Sequence, residues 1–162
     1  MPRILIALDG SEASQAAVAA AKDVSGAGAE FILLTVLAVP AEVASEAGAA
    51  IPWRWPGMRL EPGVPARLVE TKAQAMDAQR EDVVTRLEIL ARELRRDGFG
   101  VRCGVAFGDP ADEILRVAED EGADGIAVAT HGMTGLRGVV MGSVASALVR
   151  ARTRPIIVGP AI

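Results

Sequence analysis

The chain has almost no aromatic side chains: 3 % of its 162 residues, with three Phe, two Trp and no Tyr. Apolar residues still make up 51 %, so the core must be built from Ala, Val, Leu and Ile. A single cysteine, Cys103, excludes an intrachain disulfide. In a short apolar run that thiol is expected as a small buried hydrophobe. His131 is the only histidine, and no Cys, Asp or Glu stands close to it in sequence, so a metal site has no support. The only lysines are Lys22 and Lys72, which leaves no GKS or GKT and excludes a Walker-type phosphate loop. Ser143 has no histidine beside it and lies in no GxSxG pattern, which argues against a hydrolase nucleophile. A net charge of −4 gives no basic footprint for nucleic acid or an acidic membrane. The apolar run after Arg3 is too short for a signal-peptide core, and no run approaches membrane-spanning length. The expectation is one cytoplasmic domain over residues 1–162.

What is present alternates along the chain. Short apolar runs at Ile4–Leu8, Phe31–Leu37, Val101–Ala106, Ile126–Ala129 and Ile156–Val158 read as buried strands. Between them lie helical segments. Ala16–Val24 follows Asp9-Gly10-Ser11, with Ser11 or Glu12 near the cap. A long helix is predicted over Arg67–Asp97, because Val69, Ala73, Met76, Val83, Leu87, Leu90 and Leu94 share one face, which Arg80 interrupts. Asp109 before Pro110 predicts a capped start for a helix over Ala111–Glu121. Five strands alternating with four helices imply a parallel α/β sheet with helices on both faces, Rossmann-like in layout. Residues 38–66 break this rhythm with five prolines and three glycines, and read as an insertion loop. Trp53 and Trp55 within it mark either packing over the sheet end or a lid or partner surface.

The most informative stretch runs from Gly125 to Gly159. A strand leads into a loop holding Gly132, Gly135, Gly138 and Gly142, then Ser143, a helix to Val149, and a last strand. Glycines let backbone amides approach an anion, and a helix N-terminus favours negative charge. Ser143 stands where a helix N-cap would stand. Gly132, Gly142, Ser143 and Val144 are candidate amide donors, and Arg137 is the nearest cation. No carboxylate follows Asp124 that could hold a metal for a phosphate chain.

This pattern resembles the universal stress protein family. Its nucleotide loop has Gly, two residues, Gly, nine residues, Gly, then Ser or Thr. The matching positions here are Ala129, Gly132, Gly142 and Ser143, with Ala129 replacing the first glycine and Met133 standing where many members carry a basic residue. The chain start, ILIALDGSEAS, and the order of segments also fit. The resemblance implies strand order 3-2-1-4-5, with a ligand at the carboxyl ends of strands one and four. It implies an adenine nucleotide, ATP or a relative of it with or without Mg, whose phosphates lie across the glycine loop. It places Ala7, Leu8 and Asp9 at the adenosine end and the Val36 backbone at adenine, with Ala129, His131, Gly132, Gly135, Arg137, Gly142, Ser143 and Val144 along the loop. Asp9 read by itself has a helix-capping carboxylate as its alternative. The implied function is a dimeric stress sensor or effector that binds without turnover. The edge strand, through Pro155, Ile156, Ile157 and Val158, would form the homodimer. A non-nucleotide interaction module and a slow nucleotide hydrolase are the alternatives.

Overall fold

The computed structural model describes residues 1–38, 66–130 and 141–159. Strand β1 is Arg3–Ala7, followed by a 3-10 turn over Glu12–Ser14 and helix α1, Gln15–Ser25. Strand β2 is Glu30–Leu37, helix α2 Ala66–Arg96, and strand β3 Gly100–Phe107. Helix α3, Pro110–Asp120, leads to strand β4, Gly125–Ala129. Helix α4, Ser143–Ala151, and strand β5, Ile156–Gly159, complete the described chain. The strands form one five-stranded sheet in the order β3-β2-β1-β4-β5, and each neighbouring pair is parallel. The implied order and the helices on both faces are thus observed.

Both faces of the sheet are covered, which is why its strands read as unbroken apolar runs. One face packs Ile4, Ile6, Phe31 and Leu33 against Val18 and Ala21 of α1 and Leu87, Ala91 and Leu94 of α2. The other packs Leu5, Ile32, Leu34 and Ile126 against Ile114 and Val117 of α3 and Ala145 and Leu148 of α4. Each fully buried Leu or Ile contributes about 1.5–3 kcal/mol. Phe31 is the one aromatic among the largest fully buried side chains, and it stacks on Phe99 with centroids 4.6 Å apart. The Cys103 thiol is buried, and that burial, helped by the charge of Glu88, pushes it up to about 12. At neutral pH it is a protonated core group, as expected.

Element boundaries shift by one or two residues from the sequence-based ones, and one shift has chemical content. Ser143 is not the cap of α4: Gly142 is, in an extended conformation at φ −65° and ψ 165°. The Gly142 carbonyl accepts the Ser146 amide at 2.9 Å, so the helix starts one residue earlier than the serine alone indicated. Asp109 does cap α3: its Oδ1 accepts from the amides of Ala111 and Asp112 at 3.0 and 3.1 Å. On the long helix Leu87 and Leu94 are buried and Val83 and Leu90 pack against them, whereas the side chains of Val69, Ala73 and Met76 lie outside the described residues.

Two features fasten the sheet. At its amino-terminal edge Glu30 takes Arg3 on one carboxylate oxygen and Arg102 on the other, both at 2.8 Å. Arg102 continues to Glu121 at 2.7 Å. At the opposite edge Gly159 presses on the start of α1. A Cβ there would stand 2.4 Å from the carbonyl carbon and oxygen of Ala16, so only glycine fits.

Candidate functional site

The strand order puts β1 beside β4, and the chain leaves these two strands in opposite directions across the sheet. At their carboxyl ends the connecting loops part and leave a crevice. A cavity of about 300 Å³ opens there, on the face covered by α3 and α4. That is the small end of the range for ligand pockets.

Each wall comes from an identifiable element. Strand β1 and its loop supply Ala7, Leu8, Asp9 and Ser14. Strand β2 supplies Leu34 and Val36, alternate residues that share one face. Strand β4 supplies Val128, Ala129 and Thr130. Helix α3 supplies Pro110 and Ile114, one turn apart, and the start of α4 supplies Gly142, Ser143, Val144 and Ala145. The sequence-marked residues Ala7, Leu8, Asp9, Val36, Ala129, Gly142, Ser143 and Val144 therefore meet in one place. His131, Gly132, Gly135 and Arg137 lie outside the described residues, as do Met133, Trp53 and Trp55 and almost the whole 38–66 insertion.

The local hydrogen bonds set the shape of the mouth. Asp9 Oδ1 accepts from the Ser11 amide at 3.0 Å and the Ser11 hydroxyl at 2.6 Å, holding the β1 loop in an Asx turn. The Ser11 hydroxyl in turn accepts the Ser14 amide at 3.2 Å, so Ser11 caps the 3-10 turn that precedes α1. Asp9 thus serves its own loop, and its exposed carboxylate also borders the cavity. On the other lip the Gly142 amide donates to the Thr130 carbonyl at 2.6 Å, and the Thr130 amide donates to Gly159 at 3.1 Å. The glycine loop is therefore tied at its neck, and its neck is tied to β5. One consequence corrects the sequence reading: the Gly142 amide already has a partner within the protein.

The donors that remain are at the start of α4. The first amides of a helix have no partner inside it, and the cap residue, Gly142, supplies no side-chain hydrogen bond to them. Ser143, Val144 and Ala145 are the first three helical residues, and all line the cavity. The helix dipole adds partial positive charge at the same point. Among the described lining residues Asp9 is the only charged side chain. A cation that the sequence did not mark stands nearby: the Arg86 guanidinium, ion-paired with Asp82, lies 3.8 Å from where a Gly10 Cβ would be. Among the described residues no three His, Cys, Asp or Glu side chains cluster to hold a metal ion, and no helix is long and apolar enough to cross a membrane.

Sequence reasoning missed Ser14, Leu34, Pro110, Ile114, Val128, Thr130 and Ala145 as cavity residues. Period two would have added Leu34 beside Val36, and the helical repeat would have added Ile114 beside Pro110. Nothing local in the sequence signals Ser14, which is buried and whose hydroxyl donates to the Ser11 carbonyl at 2.6 Å.

Comparison with known proteins places this geometry. The sequence profile of the Universal stress protein family matches residues 1–160. Universal stress protein MJ0577 of Methanocaldococcus jannaschii is 35 % identical over 78 residues, 48 % of this chain and 48 % of that relative. The aligned region thus spans about half the length of this curated relative. The solved structure of MJ0577 superposes with a TM-score of 0.75 and 25 % identity, covering 99 % of this chain and 96 % of that one. UspA from Lactobacillus plantarum has a TM-score of 0.71 at 17 % identity, covering 97 % and 96 %. An Arabidopsis thaliana universal stress family protein, solved with AMP bound, has a TM-score of 0.59 at 14 % identity, covering 100 % and 93 %.

Proposed function

This chain belongs to the universal stress protein family, and from that premise we propose that its crevice binds an adenine nucleotide, ATP or a form with fewer phosphates. The observation that carries the reading is the convergence of Asp9, Val36, Ala129, Gly142, Ser143 and Val144 on one cavity at the switch point of the sheet. The glycine-loop residues were marked by their spacing and Asp9 and Val36 by the family resemblance, and the three segments they come from are far apart in the chain. The chemistry agrees with the assignment. Leu34, Val36, Pro110, Ile114 and Val128 offer an apolar slot for a base. The open amides at the start of α4 offer donors to a phosphate. AMP on a relative of the same fold adds support.

The protein on this reading is a binding protein of the stress response, cytoplasmic and dimeric, rather than a catalyst. Fast transfer of a phosphoryl group to water needs charge neutralisation and an oriented nucleophile. The described cavity wall supplies one carboxylate, already engaged in its own turn, and no cationic side chain. Mg, if it accompanies the ligand, would be held by the phosphates rather than by a carboxylate cage.

The test is direct. Purified protein is heat-denatured and the released small molecules are separated and identified, and ligand-free protein is titrated with AMP and ATP. An adenine nucleotide at near-stoichiometric amount, or a thermal midpoint that rises with added nucleotide, is the expected result. Neither outcome at millimolar nucleotide would leave the second reading, an interaction module with an empty crevice. That reading draws on Ala129, whose methyl group borders the cavity where the family pattern has glycine.

A further inference from the structure

The Gly108-Asp109-Pro110 signature is singled out by the sequence but takes no part in the nucleotide pattern. In the structure its helix forms one wall of the cavity. The Gly108 amide donates to the Leu37 carbonyl at 3.0 Å, which ties the loop to the end of β2. Asp109 then fixes the first turn of α3 through the amides of Ala111 and Asp112. Pro110 and Ile114 follow at a spacing of four, on one face of the helix, and both border the cavity. Ile114 is 3 % exposed and packed in the core beneath α3, so its side chain has nowhere to swing. Leu34 and Val36 of β2 border the same cavity; Leu34 belongs to the apolar cluster that holds Ile114, and Val36 packs against that cluster.

The sheet order separates two kinds of wall. Strands β2 and β4 flank β1, two strand spacings or roughly 10 Å apart. The end near β2 and α3 is apolar. The end near β4 and α4 carries the open helix amides. A flat apolar ring system fits the first end and a phosphate the second, with a sugar between them.

Resting on the nucleotide reading, we propose that helix α3 measures the base, and that Ile114, backed by Pro110, is the residue that sets the preference for a two-ring over a one-ring base. A one-ring base leaves part of the slot unfilled and forfeits the contacts its walls would make. A larger side chain at 114 occupies the volume of the second ring.

The experiment is titration calorimetry with AMP and CMP on the wild type, Ile114→Val and Ile114→Phe, each checked for folding by circular dichroism. The wild type is expected to favour AMP over CMP at least tenfold. Ile114→Val, which loosens the slot by one methyl group, should narrow the preference for AMP over CMP, and Ile114→Phe should lower AMP at least tenfold while CMP changes less than threefold. If Ile114→Phe does not fold, Ile114→Ala takes its place. Its enlarged slot must then gain at least threefold for the three-ring 1,N6-etheno-AMP relative to AMP. Parallel losses for AMP and CMP, or unchanged selectivity in the variants, overturn the role of Ile114 while the nucleotide reading stands. A wild type that binds neither nucleotide overturns both.

Discussion

Gly159 shows how a single residue can be fixed by backbone contact alone. It is the last residue of the edge strand, and its carbonyl accepts the Thr130 amide at the neck of the glycine loop. Its Cα lies against the Ala16 carbonyl, so an added methyl group would meet backbone at 2.4 Å, where no rotamer change can relieve the clash. Gly159→Ala is expected to cost about 1–3 kcal/mol, the usual scale of overpacking, read as a lower urea midpoint. Glu30 offers a second residue-level test. Burial pushes its carboxyl up, but the Arg3 hydrogen bond and the charges of Arg102 and Arg3 outweigh burial and hold it below the usual range. A carboxyl lowered on folding stabilises the protein above its unfolded value of about 4.3, and that stabilisation fades as pH falls through the folded value. Glu30→Gln should therefore be destabilised at pH 7 and approach the wild type by pH 3. Urea midpoints at pH 7, 5 and 3 check this, and a gap that stays constant with pH would show that the charge plays no part.

The two helices that frame the cavity begin in opposite ways, and the contrast has functional content. Asp109 closes the amides of α3 with its own carboxylate. Gly142 offers no side chain to those of α4. The backbone of Gly142, at φ −65° and ψ 165°, is one that any capping residue adopts, so the absence of a cap is not a conformational need. Gly142→Asp should supply the missing cap, leaving the ligand-free protein as stable as before or a few tenths of a kcal/mol more so. The same carboxylate would occupy the amides and repel a phosphate, so stabilisation by added AMP should fall at least tenfold in apparent affinity. Thermal midpoints with and without AMP separate the two effects. Undiminished binding would move the phosphate away from α4. The element level was also the most legible in the sequence. Apolar runs gave the five strands, and Asp109-Pro110 gave a helix start. The cap of α4 was misread because Ser143 has the right chemistry one position too late, and only the Gly142 carbonyl bond to Ser146 reveals the true start. Pro110 and Ser14 were missed because their place on the cavity is set by the sheet order, which spacing along the chain does not encode, and Ile114 was missed with Pro110, which it follows by the helical repeat. The order itself came from family resemblance.

At the scale of the whole molecule the feature that bears on assembly is the edge formed by β5. One side of this strand is bound: its residues alternate, and the carbonyls of Pro155 and Gly159 accept amides from the β4 side at 3.0 and 3.1 Å. By that alternation Ile157 also turns its amide and carbonyl toward β4, while Ile156 and Val158 turn theirs to the open edge. Ile156, Ile157 and Val158 are half-buried, with Ile157 packed on the cluster under α1 and Ile156 on the cluster under α4, so what the edge presents is chiefly a row of backbone donors and acceptors beside apolar side chains. Such an edge invites a partner strand unless it is blocked, and in the proposed homodimer that partner would be the same strand of a second copy, related by a two-fold axis. Proline is tolerated on an edge strand where its missing amide faces outward. Val158→Pro is therefore expected to leave the β4–β5 ladder intact and to remove one donor from the outer row. Light scattering at micromolar concentration should show a dimer mass for the wild type and a monomer mass for Val158→Pro. AMP binding by the variant should stay within threefold of the wild type, because the cavity lies on the far side of β4. A wild type that is monomeric at these concentrations would remove the homodimer reading. A Val158→Pro protein that stays dimeric would move the interface off this edge and onto the helical faces.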